Sequence, residues 1–535
     1  MSTEKKPERM TPANNIQAEP RGSPGGSERK RETGLWKPQT TLETEGGERS
    51  GGSRSGLVVP RRKAGERGRP EPGSREGART ETEPLKGNTP DTQRSDHVRT
   101  KQQRIAQIAR QRPQERLTAL NQYLDIPWLT EACERLRQNS APGVDGQTVQ
   151  DYGQNLESRL SGLLERAKRG TYRAPPVKRV NIPKENGETR PIGIPTTEDK
   201  VLQRAVVMVL EPVYEEAFYD FSYGFRPGRS PHQALAEFWK EFTGLGGRWV
   251  LEVDIRKYFD SVDRKRLLEL VSQRIGDGVI LGLLGKWLQA GIMEEGQLRH
   301  ADRGTPQGGV VSPLLSNIYL HEVFDRWFAE VVRERMEGRV FAVRYADDLV
   351  IGFSHRRDAE RVYRVIFQRF EKYGLTLHPE KTRLVEFGRP DSPGPEGGPP
   401  GNPGTFDFLG FTHYWGKSRK GYWVIKRKTA SKRLARSIKA IGDWCRDNRH
   451  KGGMFEQFKI LVRKLEGHYA YYGITGNARA LDQVRDATVN LWHKWLRRRS
   501  RESTSMTWER MKELLRTLFV FPYPRVVHSI YHAKP

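Results

Sequence analysis

Cysteine is nearly absent: the 535 residues contain two, Cys133 and Cys445, far apart in the chain. That excludes a zinc site built from four cysteines or from a cysteine pair with a histidine pair, and any disulfide framework, and it makes a reducing, intracellular compartment the default. No apolar run approaches the ~20 residues of a membrane span, so no membrane partner is expected. The first thirty residues mix Glu with Lys and Arg and lack an apolar core, which fits neither a secretory signal nor a transit peptide. The expected location is the cytoplasm. Aromatics are missing from residues 1–98 except for Trp36, among Gly, Pro, Ser, Thr, Glu and Arg. Such a segment buries too little apolar surface to offset its ordering entropy, so a disordered tail is expected there. Acidic side chains are also scarce, 66 against 93 Lys and Arg, a net charge of +27 of which residues 101–535 carry +22. The basic surface therefore belongs to the globular part, and a polyanion is the expected partner.

From about residue 100 the pattern becomes globular, with no internal repeat. In "IPTTEDKVLQRAVVMVLEPVYEEAF" the pair Thr196 and Asp199 reads as a helix cap. It is followed by apolar residues at helical spacing, from Val201 to Val213, with Pro212 as a break or kink. "RWVLEVDIRKYF" alternates instead: Trp249, Leu251 and Val253 share one strand face, Glu252 and Asp254 the other. "RVFAVRYADDLVIGF" reads as a β-hairpin with Asp347 and Asp348 at its tip. Residues 389–404 are a Pro/Gly loop, and after residue 425 the chain reads as helical and basic, with "WLRRRSR" near its end.

Adjacent aspartates inside an apolar run repel each other, and a structural strand gains nothing from them. As turn residues they would be ordinary. Together with Asp254 on a separate strand, they offer converging carboxylates of the kind that hold Mg2+ alongside substrate phosphates. Two such ions serve phosphoryl transfer, one activating an attacking hydroxyl and one stabilising a leaving oxygen.

Eight blocks, in order, resemble the group II intron-encoded reverse transcriptase/maturase family. They are "NSAPGVDGQTV" (139–149), "VNIPKENGETRPIGIPT" (180–196), "YGFRPGRSPHQAL" (223–235), "LEVDIRKYFDSV" (251–262), "GTPQGGVVSPLLSNIYL" (304–320), "YADDLVIGF" (345–353), "GLTLHPEKT" (374–382) and "FDFLGFTHYW" (406–415). The C-terminal "KLEGHYAYYGITGN", "LWHKWLRRRS" and "PYPRVVHSIY" resemble its thumb, or maturase X domain. Tyr469, Tyr471 and Tyr472 are expected to be mostly core.

The resemblance implies an α+β fold in three parts: a disordered tail (1–98), the fingers and palm of a right-hand polymerase with an antiparallel sheet (99–420), and an α-helical thumb or X domain (421–535). It implies an RNA-directed DNA polymerase that copies intron RNA and assists splicing and retromobility. Asp254, Asp347 and Asp348 would hold two Mg2+ ions with the Ile255 carbonyl, while Phe259 excludes a ribose 2′-OH. Gln307, Gly308 and Gly309 would line the nucleotide pocket, and Lys184, Arg190 and Lys381 would approach the triphosphate. Arg497, Arg498 and Arg499 would contact RNA. Implied partners are group II intron RNA, a template–primer duplex, dNTPs and target DNA, with the protein on the nucleoid when it engages DNA. The HNH endonuclease domain of many relatives, with its paired cysteines, is not expected here. Two other readings remain open, a splicing cofactor without polymerase activity and a domesticated reverse transcriptase in host repair or defence.

Overall fold

The computed structural model describes residues 90–183, 189–294, 297–299, 308–391, 403–499 and 506–529. Lys184, Gln307 and the tail up to residue 89 lie outside the described residues. Residues 90–98, expected within the tail, instead begin helix α1 (Pro90–Gln111), where Val98 is fully buried. Apolar Val98, Ile105 and Ala109 recur at helical spacing and give the helix a face to bury.

Helices α2 (Ile126–Glu134), α3 (Val149–Gly153) and α4 (Leu156–Lys168) join α1 around α5 (Thr197–Glu215). The expected cap holds, with the Thr196 hydroxyl accepting from the Asp199 N–H at 3.3 Å. Helix α5 is apolar on nearly every side and buried accordingly. Pro212 does not end it, and three further residues stay helical.

Helices α6 (Pro231–Leu245), α7 (Tyr258–Ser261), α8 (Arg264–Arg274), α9 (Gly278–Gln289), α10 (Ser312–Leu320) and α11 (Arg356–Lys372) complete the body. Its strands form three sheets. Strands β1 (Val177–Pro183) and β2 (Thr189–Ile194) pair antiparallel, with Ile182 opposite Arg190. Strand β3 (Trp249–Val253) lies elsewhere, while β4 (Ile292–Glu294) and β5 (Gln297–Arg299) extend the first sheet to the order β2-β1-β4-β5.

The second sheet has the order β6-β7-β3-β8, all antiparallel, from β6 (Val340–Tyr345), β7 (Asp348–Phe353), β3 and β8 (Arg383–Glu386). Side chains alternate across it as the sequence demanded. Leu251, Val253, Leu349 and Ile351 face the larger core with α5. Val250, Val343 and Val350 face a second core containing Phe238 of α6 and the third sheet.

That third sheet joins β9 (Phe406–Phe408), β10 (Phe411–Lys417) and β11 (Trp423–Thr429), in the order β11-β10-β9. The expectation of helix after residue 425 is corrected here: residues to Thr429 are a strand, and helix begins at Ser431. Alternation of buried Ile425, Arg427 and Thr429 with Lys426 and Lys428 is the strand period that the basic composition hid.

Helices α12 (Ser431–Asp447), α13 (Met454–Tyr472), α14 (Ala478–Leu496) and α15 (Trp508–Thr517) then enclose a core of their own around Leu461, Leu465, Trp492 and Phe521. Tyr469 is in that core, whereas Tyr471 and Tyr472 are half-buried and pack against Phe411 of the third sheet. The Asn477 amide fastens the module to β11, its Oδ1 accepting from the Thr429 N–H at 2.8 Å. Both cysteines are buried free thiols. Among the described residues no helix is long and apolar enough to cross a membrane.

Candidate active site

The hairpin joining β6 to β7 has a two-residue loop, Ala346 and Asp347, closed by the pair Tyr345–Asp348. Ala346 takes the left-handed backbone conformation that so tight a loop requires, at φ 56°. Asp347 is in the loop, and Asp348 is the first residue of β7. Strand β3 pairs with β7 up to Val253 opposite Leu349. One residue further along that register, Asp254 stands beside Asp348, on the face they share. The Arg256 N–H and the Asp254 carbonyl bond to the segment 376–378 at 2.8 Å each, and Ile255 bridges to Leu377. Alternation of an antiparallel ladder turns Ile255's own peptide groups the other way, towards β7.

These carboxylates disturb one another. Burial pushes the Asp348 carboxyl up to about 7, helped by the charges of Asp347 and Asp254 and opposed by Arg433 and Arg190. Burial also raises Asp347, against the charges of Arg190 and Arg344. Asp348 is nonetheless open to solvent and Asp254 and Asp347 are half-buried, so the cluster forms an acidic floor at the surface rather than an interior. Three oxygen donors of like charge, crowded by protein yet reachable from solvent, suit a hard divalent cation. Among the described residues no group of three such side chains is close enough to grip an ion as it stands. Asp254 is turned instead to Lys381, whose Nζ lies 3.2 Å from its Oδ2.

The other expected residues lie on several elements of the fold. The charge of Arg190, from the start of β2, reaches both Asp347 and Asp348. Phe259 is half-buried in α7, edge-on to Tyr258 at 5.2 Å. Gly308 has φ +118° and sits so close to β2 that a Cβ would lie 2.5 Å from the Gly193 carbonyl oxygen, so only glycine fits. Gly309 beside it is buried. Arg497 and Arg498 are exposed at the end of α14, remote in sequence from the acidic turn. The Arg499 guanidinium is committed to the backbone carbonyls of Arg449 and Gly452.

Several supporting residues escaped the sequence reading. Arg344, fully buried, fans its guanidinium over Asp325 (2.5 and 2.7 Å), the Ser222 hydroxyl (2.7 Å), the Asn317 side chain (3.0 Å) and the Ala346 carbonyl (3.1 Å). Burial alone would raise Asp325, but the Arg344 charge and the hydrogen bonds from His321 and Arg344 together override it and hold that carboxyl below its usual range. Gly224 packs under the turn, where a Cβ would lie 2.1 Å from the Ala346 nitrogen. An arginine flanked by apolar residues in "FAVRYADD" was the available signal.

A basic surface leads away from the same floor. Residues 408–442 contain ten Lys and Arg and no Asp or Glu. On β10 and β11, Tyr414 lies opposite Lys426, and the Lys428 ammonium sits 5.5 Å over the Tyr414 ring. Beneath them, buried Arg427 donates from Nε to His413 Nε2 at 3.2 Å, and burial together with that charge keeps His413 neutral. The strip continues into α12, whose first turn carries Arg433, close enough for its charge to act on Asp348.

A family model described as reverse transcriptase (RNA-dependent DNA polymerase) matches residues 182–413, from the end of β1 to β10. The protein YkfC of Escherichia coli K12 is 39% identical over 283 residues, covering 47% of this chain and 74% of that protein. The group II intron-encoded protein LtrA of Lactococcus lactis subsp. cremoris is 40% identical over 228 residues, 41% of this chain and 37% of LtrA. Nuclear intron maturase 1 of Arabidopsis thaliana is 32% identical over 90 residues, 17% of this chain and 12% of that protein. The chain belongs to the group II intron reverse transcriptase/maturase family, a family of RNA-directed DNA polymerases.

Proposed function

We propose that this protein copies group II intron RNA into DNA at the floor formed by Asp254, Asp347 and Asp348, and that it binds the same RNA to assist splicing and retromobility. The observation that carries the polymerase reading is the convergence of those three carboxylates at the solvent-open end of one sheet. Asp254, Asp347, Asp348 and the Ile255 carbonyl would hold two Mg2+ ions. When bound, such ions supply Lewis acidity to the attacking 3′-oxygen and the leaving pyrophosphate.

The protein's own groups position and select. Arg190 and Lys381 draw the triphosphate towards the carboxylates, and Lys184 would add a third cation to that task. Gly308 and Gly309, with Gln307, let the backbone approach the nucleotide closely. Phe259 occupies the space a ribose 2′-OH would need, which selects dNTPs by clash. Helices α12 to α15 act as the thumb, or X domain, and the body as fingers and palm of a right hand. The acid-free strip from β10 to α12 and the exposed Arg497 and Arg498 support RNA phosphate contact. Target DNA would be a second polyanion for the same surface, on the nucleoid. A triphosphate would compete with Asp254 for the Lys381 ammonium.

Primer extension on poly(rA)/oligo(dT) with Mg2+ tests the reading. dNTP incorporation is expected, and its complete absence leaves an RNA-binding splicing cofactor. Whether intron ribozyme domains flank the coding sequence separates the maturase from a reverse transcriptase in host repair or defence.

A further inference from the structure

Among the described residues, six other than glycine have left-handed backbone conformations, and three of them border the acidic floor. Ala346 is in the turn itself, Lys257 follows Asp254 by three residues, and Phe225 follows the Gly224 that packs against Ala346. Phe225 is the bulkiest of the six, at φ 58°. For a large side chain that conformation is strained, and it persists only where the surroundings impose it.

They do so from both sides. The Tyr223 N–H donates to the Arg344 carbonyl at 2.8 Å, and the Gly224 carbonyl accepts from the Asn317 side chain at 2.6 Å. Arg226 is buried, donating to the Glu215 carboxylate and to the carbonyls of Tyr219 and Ser222 at 2.7 and 2.8 Å. Strain of this kind is ordinarily offset by burying the ring. Here Phe225 is 53% exposed and belongs to none of the three hydrophobic clusters formed by the described residues. A strained backbone that holds an apolar ring in solvent beside the turn is a feature for a ligand, not for the fold.

We propose that Phe225 is a stacking platform for a nucleobase of the template–primer lying over the Ala346–Asp347 turn. This rests on Asp254, Asp347 and Asp348 being the polymerase site. An aromatic face suits that ligand because every base has a π-face, so stacking holds a strand without reading its sequence, as a copying enzyme requires.

The test uses the full chain with Phe225→Gly, Phe225→Ala and Phe225→Trp, an RNA–DNA template–primer carrying 2-aminopurine at successive positions about the primer terminus, and thermal unfolding. Loss of one base stack should weaken template–primer binding by about 5- to 100-fold in the Gly and Ala variants. Quenching of 2-aminopurine at the stacked position should disappear with it. The Trp variant should keep both affinity and quenching. The unfolding midpoint of Phe225→Gly should be equal to or above that of the natural protein, because glycine takes this conformation without strain. Natural affinity and quenching in Phe225→Gly overturn the proposal. So does a weakened Phe225→Gly with a lowered midpoint and no rescue by Trp, which marks the ring as structural. Asp347→Asn separates the two readings. If it makes DNA at near the natural rate, the site assignment fails, whereas an Asp347→Asn slowed by about 100-fold or more beside an unaffected Phe225→Gly removes only the stacking platform.

Discussion

Arg344 and Asp325 form a buried ion pair directly beneath the acidic turn, with guanidinium-to-carboxylate distances of 2.5 and 2.7 Å. The same guanidinium donates to the Ala346 carbonyl at 3.1 Å, so one side chain both neutralises a buried acid and supports the strained residue ahead of Asp347. Removing one partner leaves an unpaired charge in the core, which costs about 3–5 kcal/mol. Arg344→Met and Asp325→Leu should each destabilise the protein by that order in chemical denaturation. The double variant should recover much of the stability, since neither charge is then stranded. DNA synthesis should stay depressed in the double variant, because the Ala346 carbonyl still lacks its donor. Full recovery of both properties would reduce the pair to a purely structural device.

Asp347→Asn and Asp348→Asn should each lower DNA synthesis by about 100- to 1000-fold, the scale of losing one electrostatic contact to a transition state. RNA affinity should hold, because these carboxylates repel rather than grip the nucleic acid. Filter binding and primer extension on the same preparations give the split. Adding Ca2+ should also raise the thermal midpoint of the natural protein by relieving the repulsion among Asp254, Asp347 and Asp348. That rise should vanish in the double asparagine variant, and an equal rise there would place the cation elsewhere.

Asp199 offers a pH dependence unconnected with any metal. Buried at the start of α5, it accepts from the Tyr172 hydroxyl (2.5 Å), the Trp287 indole (2.6 Å) and the Gln203 amide (3.1 Å). Burial outweighs those donors and pushes its carboxyl up to about 6. The folded state therefore keeps a proton that the unfolded chain releases near pH 4, and stability from this group falls as pH rises from about 4 to about 6. Asp199→Asn removes the titration. Its stability relative to the natural protein should climb across that window, by an amount of order 3 kcal/mol, and level off above it. A constant offset from the altered hydrogen bonds does not change that slope. A flat difference between pH 4 and 7 in urea titrations would contradict the assigned shift.

Local pattern carried much of this architecture. The α5 cap, the alternation of β3 and the hairpin around Asp347 are periodicities within one segment, so they could be read directly. The start of α1 was missed because its polar composition matches the tail, and its buried face exists only against α5 and α2. Strand β11 was missed because Arg427, a residue expected in solvent, is buried on the core side. The blocks pointed to Asp254, Asp347 and Asp348, yet not to the residues packed beneath them. Arg344 meets Asp325 and Ser222 across 19 and 122 positions, and no spacing rule links residues brought together by tertiary packing.

The strip on β10 and β11 makes the last prediction. Lys426 and Lys428 flank Tyr414 on the sheet face opposite the core, on strands β10 and β11, which carry no acid of their own. If that face contacts RNA phosphates, each lysine releases about one counterion on binding, and log affinity falls with log salt accordingly. Lys426→Glu/Lys428→Glu should weaken RNA binding and reduce the magnitude of the salt slope by about two. The thermal midpoint should change little, because both ammonium groups lie outside the His413–Arg427 interior. Tyr414→Ala should weaken binding without changing the slope, since a stacking contact releases no counterions. The two effects are separable in one salt titration of filter binding. An unchanged slope in the double lysine variant would assign the phosphate contacts to another basic surface, with Arg497 and Arg498 the next to vary.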